Sequence, residues 1–270
     1  MSNSLLKITK LVVEARSETS VVRAVDNVDF EIGMSEVVGI IGESGSGKTT
    51  LVRSVVDLLE RNVRITAGTI DFAGRRVLDR EAGTSSISTI RGSHVAMIFQ
   101  SPRTSLDPLM TIAGHLREVL RRHQPDLSRA EVKHRSFELL GELGLEAGRV
   151  MRSYPHQLSG GMCQRAAIAI AISCYPELLI ADECTSALDV TSQEEVLTVL
   201  KKLTDTRKMA LIFVTHDMLL ASELCDRLVV MASGKVVEIG DTEEVLANPK
   251  ADYTRRLIAA VPRWEMGSRI

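Results

Sequence analysis

A glycine-rich segment near the N-terminus has the residue types and spacing needed to hold phosphate groups. It follows the apolar residues 37–41 and reads Gly42-Glu43-Ser44-Gly45-Ser46-Gly47-Lys48-Thr49-Thr50. Glycine permits backbone angles that other residues avoid, so successive N–H groups can converge on one anion at the positive end of a helix dipole. Lys48 would reach the β- and γ-phosphates of a nucleotide, and the Thr49 hydroxyl would bind Mg²⁺. Glycine-rich turns also join strands to helices without a ligand, but the Lys-Thr pair at this spacing favours phosphate binding.

Two adjacent carboxylates, Asp182 and Glu183, follow the apolar residues 178–181. Hydrolysis of ATP needs held phosphates, neutralised charge and a water aimed in line at the γ-phosphorus. We expect Asp182 to reach Mg²⁺, directly or through a water, and Glu183 to act as the base that activates the attacking water. Acidic residues at strand ends are often merely solvated, but the apolar strand and the phosphate loop upstream favour function here.

Two further polar residues follow apolar strands. Gln100 comes after residues 94–99, and His216 comes just after residues 210–214. Gln100 could bind the same metal and sense the γ-phosphate, and His216 could donate a hydrogen bond to it. Taken alone, such a glutamine is more often a surface residue, and such a histidine is more often a structural residue. Their position in the fold decides between these roles and a role in binding the nucleotide.

A second candidate phosphate nest, Ser159-Gly160-Gly161, opens another helix. One nucleotide has no obvious use for two such nests on a single chain. A head-to-tail dimer resolves this, because the serine-glycine loop of one subunit would cover the nucleotide of the other.

Strands and helices alternate after the phosphate loop, which is typical of a mostly parallel sheet with helices on both faces. Ligands of such sheets bind at the carboxyl ends of the strands. Period-two apolar spacing within residues 5–32 predicts antiparallel strands, and Ala73-Gly74-Arg75 and Ala232-Ser233-Gly234 predict hairpin turns.

Helical spacing predicts the remaining elements. The helix after the phosphate loop should run through Leu58 and Leu59, while Pro102 and Pro108 should keep residues 101–109 in a loop. Further helices are expected at 112–122, at 128–143 behind a Ser128–Glu131 capping box, from Ser159 to about Ser173, and at 193–203. We therefore expect one domain over 1–270: a nucleotide-binding core with a β subdomain (1–100 and 158–240), a helical subdomain (101–157) and a short tail (241–270).

Composition excludes several classes of protein. A net charge of −2 and an aromatic content of 3% argue against nucleic-acid binding by phosphate neutralisation or base stacking. The longest apolar run, residues 166–175, is about half the length that a bilayer requires. The four cysteines have no metal-site spacing, so we expect reduced, apolar thiols in an intracellular protein (Cys163, Cys174, Cys184 and Cys225).

These features, in this order, make the chain similar to the ATP-binding cassette (ABC) family over nearly its full length. Residues 42–49 resemble the Walker A loop, and residues 178–183 resemble the Walker B strand. Gln100 resembles the glutamine of the Q-loop, and residues 158–164 resemble the signature motif. Residues 186–189 resemble the D-loop, and His216 resembles the switch histidine. The resemblance implies an α/β fold. Its parts are a P-loop NTPase (RecA-like) core with a mostly parallel sheet, an antiparallel β subdomain and a helical subdomain. It also implies ATP and Mg²⁺ as cofactors.

A narrower resemblance is to the ATPase subunits of bacterial oligopeptide, dipeptide and nickel importers. It is carried by three segments: residues 99–108, 154–162 and 253–262. The resemblance implies ATP-driven uptake of peptides or a related solute such as nickel, at the cytoplasmic face of the inner membrane. The implied partners are a second ATPase chain (a heterodimer favoured, a homodimer possible), two permeases that contact the helical insertion, and an external solute-binding protein.

The chain departs from the family pattern at three places. No aromatic residue precedes Phe30, so the ring that usually stacks on adenine is missing, and we expect weak discrimination between ATP and GTP. Cys184 stands where the family generally has proline, and Cys163 replaces a frequent arginine.

The competing interpretations of the function are a soluble cassette ATPase of DNA repair, translation or chromosome maintenance, and a nucleotide-binding regulator without turnover.

Overall fold

The computed structural model describes residues 4–260 of the 270-residue chain. Its contacts divide the chain into two compact units: the residues up to Thr89 together with those from Ala210 onward, and Ile90–Met209. The expected helical subdomain, 101–157, lies within the second unit. Residues 261–270 of the expected tail, including the end of the importer-like segment 253–262, lie outside the described residues.

The strands and helices alternate along much of the chain. The strands are β1 (Ser4–Arg16), β2 (Val21–Gly33), β3 (Val37–Ile41), β4 (Val63–Phe72), β5 (Arg75–Asp79), β6 (Thr84–Ser85), β7 (Val95–Ile98), β8 (Leu178–Asp182), β9 (Ala210–Thr215), β10 (Arg227–Ala232) and β11 (Lys235–Asp241). The helices are α1 (Lys48–Val55), α2 (Pro102–Ser105), α3 (Ile112–His123), α4 (Arg129–Glu142), α5 (Ala147–Val150), α6 (Gly160–Ala171), α7 (Val190–Arg207), α8 (Met218–Leu224), α9 (Thr242–Ala247) and α10 (Asp252–Ala259).

The first unit contains the predicted antiparallel sheet. Its strand order is β2-β1-β4-β5-β6, with each neighbouring pair antiparallel. Period-two spacing buries Val28, Phe30 and Ile32 on β2, whereas on β1 it runs from Leu6 to Ile8 and is interrupted before the buried Leu11, where the pairing register shifts. The predicted hairpin between β4 and β5 is confirmed, with Phe72 opposite Arg75.

The first unit also contains parallel strands. β3 lies between β9 and β10 and pairs in parallel with both, while β11 adds an antiparallel edge to β10 through the second predicted hairpin. All residues of β3 and β9 are buried, as expected for strands covered on both faces.

The second unit combines a parallel strand pair with most of the longer helices. β7 and β8 pair in parallel, with Ile98 opposite Ala181. The predicted capping box of α4 is confirmed: the Glu131 N–H donates to the Ser128 hydroxyl at 3.2 Å, and the Ser128 N–H donates to the Glu131 carboxylate at 2.8 Å. Leu120 of α3, Val132 of α4 and Cys174 form a buried apolar cluster.

The helix predicted after the phosphate loop is shorter than expected. α1 ends at Val55 instead of continuing through Leu58 and Leu59, because Asp57 adopts a left-handed backbone with φ of 52°. Leu58 is consequently 38% exposed instead of lying on the buried face of a helix.

The loop predicted over residues 101–109 is also wrong in part. Residues Pro102–Ser105 form one helical turn, α2, with Pro102 in its first turn. Proline is compatible with that position because the N–H groups of the first turn have no partner within the helix. α7 is longer than the predicted 193–203, since the Asp189 carboxylate caps it at its start by accepting the Ser192 N–H at 3.0 Å.

Every helix within residues 4–260 is too short or too polar to cross a bilayer. The four cysteines are buried and form no disulfide among the described residues. They pack as apolar side chains, in agreement with the sequence interpretation.

Candidate functional site

The glycine-rich segment joins the buried strand β3 to α1 in a backbone conformation that requires glycine. Gly42 and Gly47 have φ of 150° and 102°. A Cβ atom at Gly42 would lie 2.2 Å from the Met231 carbonyl oxygen, and one at Gly47 would lie 2.3 Å from the Ala24 carbonyl oxygen. Neither position accepts a larger residue, so the loop can wrap tightly ahead of the first turn of α1.

Two side chains give this loop the polarity of an anion site. The Lys48 ammonium is buried and donates to the carbonyl oxygens of Gly42 and Glu43, at 2.7 and 2.9 Å. The Ser46 hydroxyl is buried and has no hydrogen-bond partner among residues 4–260. A buried hydroxyl without a partner, two residues before a buried lysine, fits a loop that binds a phosphate group, which would accept from the hydroxyl.

His216 lies at the same edge of the first unit's parallel strands as the phosphate loop. β3 and β9 are neighbours with Ile41 opposite Thr215, so Gly42 and His216 follow the carboxyl ends of adjacent strands. The next residue, Asp217, caps α8 by accepting the N–H groups of Leu219 and Leu220. The His216 side chain is exposed. The structure therefore places His216 at the carboxyl end of β9, the edge at which ligands of such sheets generally bind.

The second unit brings Gln100 and Glu183 together by an equivalent arrangement. They follow the parallel neighbours β7 and β8, and the Gln100 amide donates to the Glu183 carboxylate at 2.9 Å. Asp182, the last residue of β8, is 1% exposed, and Glu183 has a left-handed φ of 46° that turns the chain directly after the strand. The sequence prediction placed both residues at strand ends, whereas the contact between their side chains required the structure.

Cys184 is fully buried directly after Glu183. Burial raises the pKa of its thiol to about 12, so the side chain is neutral at physiological pH. The residue therefore serves as a small apolar group beneath the turn that carries Glu183.

Ser159, Gly160 and Gly161 form the start of α6, where Ser159 accepts the Met162 N–H at 3.2 Å. This turn packs against the start of α7, since a Cβ atom at Gly161 would lie 2.9 Å from the Ser192 hydroxyl. Hydrogen bonds from the Ser192 backbone and hydroxyl lower the pKa of Asp189. They also hold the end of the 186–189 segment at the start of α7.

One contact to the phosphate loop was missed by the sequence prediction. The hydroxyl of Tyr253, on α10, accepts the N–H of Glu43 at 3.0 Å. The two residues are 210 positions apart, so neither periodicity nor motif spacing relates them. The only sequence signal is the importer-like segment that begins at Tyr253.

A family model described as ABC transporter matches residues 25–186. This span exceeds half of the chain and contains the phosphate loop, Gln100, residues 159–161 and both carboxylates. The chain belongs to the ABC transporter family. As a member it is an ATP-binding cassette and an ATPase, with the P-loop NTPase fold that the sequence predicted.

Relatives of this ABC cassette include two transport proteins. It is 39% identical over 265 residues to the dipeptide transport ATP-binding protein DppD of Escherichia coli K12, covering 97% of this chain and 79% of that protein. It is 39% identical over 262 residues to the oligopeptide transport ATP-binding protein AmiE of Streptococcus pneumoniae serotype 4, covering 97% and 73%. These relatives support the transport interpretation over a soluble ATPase of DNA repair, translation or chromosome maintenance.

A solved structure with the same fold is the dimeric ATP-binding cassette MJ0796 in a post-hydrolysis state bound to ADP and Pi. It is 29% identical, with a TM-score of 0.76, and the match covers 88% of this chain and 98% of that one. That cassette is dimeric, as the paired phosphate nests predicted for this chain.

Proposed function

We propose that this cassette hydrolyses ATP to drive uptake of peptides, or of a related small solute such as nickel, across the bacterial inner membrane. It would act as a peripheral subunit on the cytoplasmic face. The observation that carries this proposal is the 39% identity to a dipeptide transport ATP-binding protein along 97% of the chain.

The ATP phosphates would bind at residues 42–50. The buried Ser46 hydroxyl, which has no hydrogen-bond partner among residues 4–260, and the positive charge of the buried Lys48 support this. Thr49, Gln100 and Asp182 would hold Mg²⁺ through oxygen atoms, the ligands that this ion prefers. When bound, the ion neutralises charge on the phosphate oxygens.

Glu183 would act as the general base and accept a proton from the attacking water. The hydrogen bond from Gln100 supports this role because it orients the Glu183 carboxylate at the end of β8. His216 would donate to the γ-phosphate from the end of β9. Gln100 would therefore connect the base to the helical residues that follow it.

The nucleotide would be enclosed by two cassettes. Ser159, Gly160 and Gly161 would complete the partner's site, with the N-terminal N–H groups of α6 directed at the partner's γ-phosphate. The partner would be a related ATPase chain, so that a heterodimer is favoured over a homodimer. Two permeases and an external solute-binding protein would complete the transporter.

A basic groove between α3 and α4 is the proposed contact for an acidic cytoplasmic loop of a permease. It is a cavity of about 440 Å³ with an apolar floor, and four exposed cations line it: Arg117 and Arg121 on α3, and Arg129 and Lys133 on α4. Within residues 4–260 these four side chains form no ion pair, and no carboxylate lines the cavity. A negatively charged segment with an apolar side chain is complementary to this surface.

The central test of the proposal is Glu183→Gln, with Glu177→Gln as the control. Glu177 precedes β8 and contacts His94, which precedes β7, so this pair lies at the opposite end of these strands from Glu183. The Glu177→Gln variant should therefore keep wild-type turnover. Glu183→Gln should lower ATP turnover at least about a hundredfold, because the base is lost. Equilibrium binding should show that ATP is retained, and light scattering of the cassette mixed with its partner ATPase chain should show a nucleotide-dependent dimer. Ser159→Arg should abolish that dimer.

Turnover of Glu183→Gln at the wild-type rate would remove Glu183 from the role of base. A dimer that forms equally well with Ser159→Arg would remove the second nest from the partner's site.

A further inference from the structure

The peptide unit between Gly42 and Glu43 is held from both sides. Its N–H, on Glu43, donates to the Tyr253 hydroxyl at 3.0 Å, and its carbonyl oxygen, on Gly42, accepts from Lys48 Nζ at 2.7 Å. A peptide unit is planar, so fixing the two ends of this group fixes its rotation. The unit adjoins a glycine, whose backbone is the least restricted by sterics and which needs such an external restraint.

This peptide supplies one of the acceptors that hold the Lys48 ammonium. Lys48 Nζ donates to the oxygen of Gly42 and to that of Glu43, at 2.7 and 2.9 Å. Rotation of the Gly42–Glu43 peptide would remove the first of these acceptors and weaken the restraint on the ammonium. Tyr253 therefore acts on Lys48 through one rigid group.

Tyr253 is itself held by a fixed support. Glu238 on β11 is 9% exposed, and its carboxylate accepts the N–H of Lys250 at 2.8 Å and that of Ala251 at 3.0 Å, directly before α10. Thr254, beside Tyr253, is fully buried. These contacts tie the start of α10 to β11, and from there the Tyr253 hydroxyl reaches the Glu43 N–H.

We propose that Tyr253 is a positioning residue of the phosphate loop, through which β11 and α10 set the affinity for the nucleotide. This inference rests on the proposed binding of ATP at residues 42–50. Tyr253 needs no contact with the nucleotide, because it acts through the Gly42–Glu43 peptide.

The test is Tyr253→Phe, which retains the ring and removes the hydroxyl, with Tyr175→Phe as the matched control. Tyr175 lies in the second unit, where its ring stacks under Arg135 at 3.8 Å. Because a hydrogen bond of this kind contributes modestly, Tyr253→Phe should weaken ATP binding about threefold to tenfold. The control should bind as the wild type does. Hydrogen exchange of the loop amides, measured without nucleotide, should accelerate in Tyr253→Phe and not in Tyr175→Phe.

A KM-against-kcat comparison separates positioning from general damage. Tyr253→Phe should raise KM for ATP and leave kcat within about twofold. Glu238→Gln, which replaces one acceptor oxygen by a donor, should weaken binding similarly. The double variant should bind ATP no more weakly than the single variant with the lower affinity, because both substitutions act through the same contact between Tyr253 and Glu43.

Wild-type affinity and exchange in Tyr253→Phe would overturn the inference. If the losses of ATP affinity caused by Tyr253→Phe and Glu238→Gln multiply in the double variant, Glu238 does not act through Tyr253. That result would overturn the proposal that Glu238 supports Tyr253. Lys48→Ala serves as the reference for loss of the site. If the wild type itself binds no ATP in this assay, the proposed function fails, whereas the Tyr253 inference fails only when the wild type binds.

Discussion

Adenine recognition depends on single side chains, and this cassette lacks the ring that its family resemblance leads one to expect. No aromatic residue precedes Phe30 in the sequence. Aromatic stacking contributes about 1–3 kcal/mol per base, so its absence removes affinity for the base and leaves the phosphates to dominate binding. We expect ATP and GTP to compete with dissociation constants within about tenfold of each other. Competition binding measures this ratio, and a strong preference for ATP would show that another residue reads the base.

At the scale of one element, α4 depends on its N-terminal cap. Ser128 and Glu131 satisfy each other's backbone N–H groups ahead of the first turn. Ser128→Ala should therefore destabilise the protein by about 1 kcal/mol, measured by chemical denaturation, and should accelerate amide exchange at the start of α4. Ser88→Ala, at an exposed serine in the first unit, is the control and should stay within about 0.5 kcal/mol of the wild type. A Ser128→Ala variant as stable as this control would contradict the contribution assigned to the cap.

At the scale of the whole molecule, the basic groove should connect the cassette to its membrane partner. Replacing Arg121 and Arg129 together by glutamate places like charges opposite an acidic segment. Co-purification with the permeases and their stimulation of ATPase activity should fall about tenfold or more, while the basal ATPase rate stays unchanged. Arg122→Glu, on the same helix but outside the cavity lining, is the matched control. Permease binding that survives the double reversal and responds equally to the control would exclude the groove.

Much of the fold follows from local patterns. The alternation of β2, the hairpin at 73–75 and the capping box at Ser128 depend on neighbouring residues, and each is confirmed, whereas the alternation of β1 is interrupted by a register shift between Ile8 and Leu11. The errors in the predicted helices occur where a local rule has an exception. α1 ends early because Asp57 turns left-handed, and α2 forms because proline tolerates a first helical turn.

The features of the candidate site also divide into those that follow from local sequence and those that depend on tertiary contacts. The sequence alone indicated the family and placed the glycine-rich loop and the polar residues at the strand ends, because glycine spacing and terminal polar residues are local chemical requirements; phosphate binding at residues 42–50 stays a prediction. The roles of Glu183, His216 and the three proposed Mg²⁺ ligands stay predictions. Tertiary structure alone decided that Gln100 binds Glu183 and that Tyr253 binds Glu43. These contacts join residues 83 and 210 positions apart, and their geometry comes from strand pairing and helix packing that no local pattern encodes.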